Sequence, residues 1–367
     1  MKIECIKEQL EYGLSTALKI AGKSQSLPVL SGFYLEAGQN VLIIKATNLD
    51  LGISIKVPAK VSLSGVVVVP AQILSSFVSS LSKDHSISMA SKDNLMEVKT
   101  SSTKTNIKVL PSDEFPVIPE ISDDGAFSIP SRDLVYGIRS VIYAASIGSI
   151  KPELSSVSVT HDGDHLVFAA TDSFRLAEKR VRIKKMPHFK QILIPQKNAA
   201  EIAKIFDQIG DDVSISIGEN QIALRSEGVY LASRVIDGIF PDYRQIIPPK
   251  HSSSAIVLKQ DLINSLKTSL IFSDSFNQLT LKVFVGKKIF EMETKNLNVG
   301  DIVHKVDAVL EGEDISINVN HRYFTDCLQS ISADSISLEF SGQAKPIVMR
   351  GVGEAGFLYL VMPMNQS

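Results

Sequence analysis

The chain has 367 residues, 44% of them apolar and 21% charged, and a formal net charge of −2. These values fit an ordinary globular protein of two or three domains, with no global positive field that would advertise nucleic acid, although local patches stay open. Two cysteines, Cys5 and Cys327, lack CxxC spacing and suit a reducing cytosol, the N-terminal MKIECIKEQL does not read as a signal peptide, and no 18-residue apolar run predicts a membrane span.

In chain order, IKEQLEYGLSTAL from Ile6 predicts a first helix with Leu10, Leu14, Ala17 and Leu18 on one face. VLIIKA reads as a strand that stops at Thr47, and VPAQILSSFVSSL from Val69 predicts a second helix. PSRDLVYGIRSVI from Pro130 predicts a third, its buried face carrying Leu134, Ile138, Val141 and Ile142. HLVFAATDSFRLAEKR, residues 165–180, runs apolar to Ala170 and then meets Thr171, Asp172, Ser173, Phe174 and Arg175. IPQKNAAEIAKIF from Ile194, LKQDLINSLKTSL from Leu258 and VNHRYFTDCLQSI from Val319 predict three more helices. Short alternating runs such as VSISIG and SISLEF, bounded by Gly, Asn and Asp, predict strands between them.

The pattern repeats three times. The helices from Val69, Ile194 and Val319 start 125 residues apart, and Leu10, Leu134 and Leu262 fall in register. Thr47, Thr171 and Thr294 also align, so the Thr-Asp-Ser-Phe-Arg cluster is expected to be one copy of a threefold element. The fold class is α+β, three repeated domains at 1–122, 126–246 and 252–367, each with two helices and antiparallel sheet. The joins fall near FPVIPEISDDGAFSIP and FPDYRQIIPPKHSSSAI.

Two motifs read as turns. GVGEAG (351–356) has strand-like sequence on both sides, which favours a hairpin loop over a dinucleotide site. HDGDH (161–165) places Asp162-Gly163 between alternating runs, a hairpin signal rather than a metal site. No nucleophile elbow, HExxH or P-loop occurs, so no cofactor is expected. An enzyme using Thr171, Asp172 and Arg175 stays open, but no base partner accompanies them.

Polar helix positions align as well. Gln72, Lys197 and Arg322 are equivalent, as are Ser79, Lys204 and Gln329. Lys197 and Lys204 share a face, as do Arg132 and Arg139, with Lys267 equivalent to Arg139; Glu8 and Glu11 are exceptions. Six helices per chain and twelve per dimer, at ~10 Å spacing, would enclose a hole of about 28 Å, wide enough for a duplex. Such a lining would hold phosphates without reading bases.

LPVLSGFYLEA (27–37), ATDSFRLA (170–177), DGIFPDYRQIIP (237–248) and YLVMPM (359–364), in this order and spacing, resemble the bacterial DNA sliding clamps, the beta subunits of DNA polymerase III. The resemblance covers the whole chain. It implies a head-to-tail homodimeric ring around duplex DNA, without catalysis or sequence preference, in the cytoplasm. It implies that the ring is loaded by an ATP-driven clamp loader and tethers the polymerase catalytic subunit and other proteins carrying a clamp-binding motif. A pocket for partner peptides is implied at Leu154, Thr171, Ser173, Phe174, Arg175, Leu176, Pro241, Gln245, Ile246, Pro346, Val361, Met362, Pro363 and Met364. In this expectation Thr171 and Arg175 fix a peptide's polar groups. Ser173-Phe174 replaces the family's usual Gly-His, and Gln245 and Asn365 replace usual arginines, which implies a more apolar, less cationic pocket. The implied DNA-facing residues are Lys23, Arg132, Arg139, Lys197, Lys204, Lys267 and Arg322. The implied interface pairs Ile271 and Phe272 with a strand containing Thr105 and Ile107. A peptide-binding adaptor that forms no ring is a further alternative.

Overall fold

The structure is a computed structural model that describes residues 1–22, 27–81, 85–148 and 150–364. Six α-helices occur among the described residues: α1 (Lys7–Leu18), α2 (Ala71–Ser80), α3 (Ser131–Arg139), α4 (Gln196–Phe206), α5 (Lys259–Ser269) and α6 (His321–Asp326). They start where the apolar periodicity places them, two in each third, but α3 stops at Arg139, short of Val141 and Ile142, and α6 stops at Asp326, with short 3-10 turns following both. Leu10, Leu14 and Ala17 of α1 and Ile202 and Phe206 of α4 are fully buried. The Asn320 side chain starts α6 by accepting from the backbone of Arg322 and Tyr323. No described helix is long and apolar enough to cross a membrane.

The chain forms two compact units, and the division runs through the central third. The first comprises Met1–Val135, Lys185–Pro187 and Glu201–Val235; the second comprises Tyr136–Lys184, His188–Ala200 and Ile236–Ser367. In the first unit the long strand Leu51–Leu63 pairs antiparallel with Val229–Arg234, with Gly52 opposite Ala232. In the second, Arg175–Arg182 pairs with Phe357–Val361, with Leu176 opposite Leu360. The last strand of each later third thus extends the sheet of the third before it. These two places are called the first and second junctions below.

HDGDH and GVGEAG are both hairpins. Asp162 pairs with His165 around Gly163, whose φ of +60° suits a glycine, and Gly351–Gly356 joins Ile347–Gly351 to Phe357–Val361. Among the described residues no His, Cys, Asp and Glu cluster could hold a metal ion. Both thiols are free and buried, and burial pushes Cys5 up to about 12 and Cys327 higher still.

The threonine repeat is corrected in its third copy. The strand Ile289–Asn296 runs past Thr294, which pairs with Ile302 and donates to the Ser269 carbonyl at 3.0 Å. Lys295 follows Thr294 and has no acceptor for the turn. Asn296, one residue later, accepts from the Asn298 backbone instead, so the chain reverses later.

Candidate binding site at the second junction

The cluster after Ala170 is a turn held by hydrogen bonds of Thr171 and Asp172. Thr171 Oγ1 donates to the Arg175 carbonyl at 2.6 Å and accepts from Ser173 N at 3.1 Å. Asp172 Oδ1 accepts from Phe174 N and Arg175 N at 2.9 and 3.0 Å. Ser173 takes a left-handed φ of +78°. The first junction repeats this arrangement. Thr47 Oγ1 donates to Leu51 O and accepts from Leu49 N, Asn48 Oδ1 accepts from Asp50 N and Leu51 N, and Leu49 also has φ +78°. A turn found twice with the same hydrogen bonds is a way of reversing the chain, not a reaction centre.

Arg175 is likewise engaged inside the protein. Its side chain is 10% exposed, with Nε 3.1 Å from Asp172 Oδ2 and Nη1 2.5 Å from Asp326 Oδ2. The guanidinium lies 4.4 Å from the Tyr323 ring centroid. Burial lowers its pKa, but Tyr359, Asp326 and Asp172 outweigh that and hold it above the usual arginine range. Thr171 and Arg175, expected to fix a ligand's polar groups, thus also hold the turn itself. Their hydrogen-bonding capacity shapes the turn and anchors it to Asp326.

Strand alternation divides the expected pocket between two faces. Leu176 and Leu360, opposite each other, belong to one buried cluster with Ala169, Val348, Leu358, Phe240 and Tyr243. Arg175 and Val361 are also opposite each other, one residue along, and so occupy the other face. Leu176 is 1% exposed, which makes it core rather than an open wall. Val361, Leu154 and Pro346 are buried too. Phe174 is different: 61% of it is exposed. Ser173, Pro241, Gln245 and Ile246 are exposed, and Met362, Pro363 and Met364 are half-buried. Gln245 donates to Asp242 at 2.8 Å. The apolar chain end is held in place, since Met362 N donates to Phe174 O at 2.8 Å and Met364 N to Asn318 O at 2.7 Å. Asn365 lies outside the described residues.

The sequence reading missed Leu360, Phe240, Tyr243 and Asp326. Leu360 alternates with Met362 in YLVMPM, but its partnership with Leu176 needs the register. Asp326 reaches Arg175 from 151 residues away, and no local signal could announce it.

Family models of the DNA polymerase III beta subunit match residues 1–119 (N-terminal domain), 128–242 (central domain) and 244–365 (C-terminal domain). The chain belongs to the bacterial DNA sliding clamps. The beta sliding clamp of Staphylococcus aureus is 24% identical over 363 residues, 96% of each chain. The fold matches DNA polymerase III beta from Thermotoga maritima with a TM-score of 0.94 at 25% identity, and the Bacillus subtilis sliding clamp with 0.94 at 24%, each over the full length of both chains. The clamp is a DNA polymerase processivity factor of three clamp domains that supports DNA replication, a non-catalytic accessory subunit. The enzyme reading of Thr171–Arg175 is set aside.

On this clamp Arg132, Arg139, Lys197, Lys204, Lys267 and Arg322 are all exposed on their helices. Lys204 pairs with Glu201 at 2.7 Å, which screens part of its charge. Lys19, not anticipated, donates to the Lys204 carbonyl at 3.2 Å and adds a cation beside it. Lys23 lies outside the described residues. Among the expected interface residues Ile271 is 66% exposed, while Phe272 and Thr105 are intermediate. Ile107 is 6% exposed and packs within its own unit. Its strand Lys104–Lys108 is nonetheless a sheet edge, so the strand can offer its backbone and the opposite face.

Proposed function

We propose that two copies of this clamp close head to tail around duplex DNA in the cytoplasm, and that partners dock by short peptides at the second junction. One observation carries the DNA reading. Equivalent helices in different thirds bury their apolar side and expose Lys or Arg at matching positions, while the whole chain is slightly acidic. Localised cations on an acidic protein hold a phosphate backbone loosely enough to slide.

Ring closure draws on two sheet edges, Lys104–Lys108 and Ala308–Gly312. The first carries Lys104 and Lys108 and the second Glu311, so the edges are complementary in charge. Exposed Ile271 supplies apolar contact next to Phe272. The peptide surface is formed by Phe174, Pro241, Ile246, Met362 and Met364, apolar side chains that adapt to varied ligands. The partners in this reading are the DNA polymerase III catalytic subunit, the clamp loader and other proteins with a clamp-binding motif.

The test is retention on circular and linear DNA with the mass in solution measured alongside. Wild type should sediment near twice 40.0 kDa and stay on circles while sliding off linear DNA. Reversing Lys197 and Lys204 to Glu should shorten residence and flatten its salt dependence by a slope of about 2 in the log–log plot. Unchanged retention at low salt would overturn the lining, and a monomer that binds peptides would favour the non-ring adaptor.

A further inference from the structure

Along the same two strands, past Leu176 and Leu360, the second junction opens into a cleft of about 440 Å³. Ile247, Phe357 and Leu358 give it apolar walls, and three guanidiniums, Arg180, Arg244 and Arg350, share it with one carboxylate, Glu178. Glu178 is nearly buried and already accepts from Arg180 Nε at 2.8 Å and Tyr243 Oη at 2.5 Å. Arg244 reaches Asp162 at 3.4 Å, and Arg350 stands 3.7 Å from Glu339, beyond hydrogen-bond distance. A guanidinium has five N–H donors in a fork that fits a carboxylate. The neighbouring acids leave most of the donors of Arg244 and Arg350 for solvent or a ligand.

The first junction shows what such a cleft holds. Gly228 and Gly356 are equivalent: each has positive φ, and their carbonyls accept from Lys56 N and Arg180 N at 2.8 and 2.7 Å. Lys56 is therefore the counterpart of Arg180. Here the chain's own segment 118–123 lies along the cleft. The Pro119 carbonyl accepts from Tyr230 Oη at 2.6 Å, and the Ile121 carbonyl from Arg225 Nη2. Asp123 Oδ1 sits 2.5 Å from Arg225 Nη1. A linker segment with apolar residues and carboxylates thus lines one side of the equivalent cleft, where about 680 Å³ stays open beside Lys56 and Arg225.

We propose that the arginine cleft of the second junction binds an acidic extension of the partner peptide whose apolar anchor sits on the Phe174–Met362 surface, at the other end of the same strand pair. This rests on the peptide-docking reading above and adds its charge preference. The extension runs over Leu358 and presents its carboxylates to Arg244 and Arg350, as Asp123 presents its own to Arg225.

Calorimetric titration of the full chain tests this with three probes: a polymerase-tail peptide, and the same peptide with Asp-Glu added at its N-terminus or at its C-terminus. One extended peptide should bind about tenfold tighter than the parent at low salt, as expected of charge-assisted contacts. The gain should shrink in 0.5 M salt. It should vanish in Arg244→Gln/Arg350→Gln, where the parent peptide keeps its wild-type affinity. If neither extension tightens binding, or the gain persists in the double variant, the cleft is not the acidic subsite. If the parent itself fails to bind wild type, the docking reading falls and this inference falls with it.

Discussion

At the first junction Thr47, Gly52 and Ala232 hold the places that Thr171, Leu176 and Leu360 hold at the second. The turn, the strand addition and a Phe-Pro pair in the following linker, Phe115-Pro116 and Phe240-Pro241, are common to both. The cross-strand pair differs. Gly and Ala leave a low floor, and Ile118 of the linker settles onto it so closely that a Cβ at Gly52 would meet Ile118 Cγ2 at 2.8 Å. The space left beside Ile118 is a cleft of about 190 Å³, and a larger one of about 680 Å³ opens farther along, beside Lys56 and Arg225. Two leucines fill that floor at the second junction, joined by Phe240 and Tyr243 of the linker, while Phe174 and Ile246 stay exposed. One scaffold thus has its floor covered by Ile118 of the linker in one place and filled by two leucines in the other, and side-chain volume at two positions separates them.

The largest effect should come from emptying the second floor. Leu176→Ala removes a fully buried side chain and should cost about 2–5 kcal/mol of stability, read as a lower midpoint of urea unfolding. A loss below ~1 kcal/mol would mean that Leu176 is a ligand wall after all. Filling the first floor comes next. Gly52→Leu must displace Ile118 and should cost about 1–3 kcal/mol, with faster proteolysis of the linker around Val117, which is already exposed. If the variant is as stable as wild type, the linker is not seated as described.

The two turns should differ by less. Asn48→Ala removes an acceptor for two backbone N–H groups and should cost about 0.5–1.5 kcal/mol in urea. Asp172→Ala removes the same acceptor and also a carboxylate from a nearly buried arginine, so about 1.5–3 kcal/mol is expected. Equal losses would show that the Asp172–Arg175 pair adds nothing at this turn. The smallest effect concerns the exposed rim. Phe174→His introduces an imidazole that gains charge as the pH falls through ~6.5. Affinity for a carboxylate-bearing peptide should therefore rise modestly from pH 8 to pH 5 in the variant, beyond any change in wild type. Identical calorimetric profiles would place residue 174 outside the docking surface.

Much of this was legible in the chain. Apolar residues spaced at the helical period set all six helices, because a helix is satisfied within its own segment. Asp162-Gly163 announced its hairpin for the same local reason. Threonine followed directly by Asn or Asp announced two turns; Thr294, followed by Lys295, showed that register by a single residue is not enough. The exposed cations on α3, α4 and α5 could also be read, since a helix face follows from spacing alone.

The sequence by itself determined the threefold repeat, the helices with their basic outer positions, and the family to which the chain belongs. Only the tertiary structure decided which face each pocket residue takes. That depends on the pairing of Arg175–Arg182 with Phe357–Val361, strands about 180 residues apart, where a shift of one residue exchanges the two faces. It also decided that Arg175 is held by Asp326 and that Ile107 faces inward. It seated Ile118 on Gly52, while Phe240 and Tyr243 share a core with Leu176. Each of these is a contact between distant segments, and local sequence carries the propensity of an element but not the identity of what packs against it.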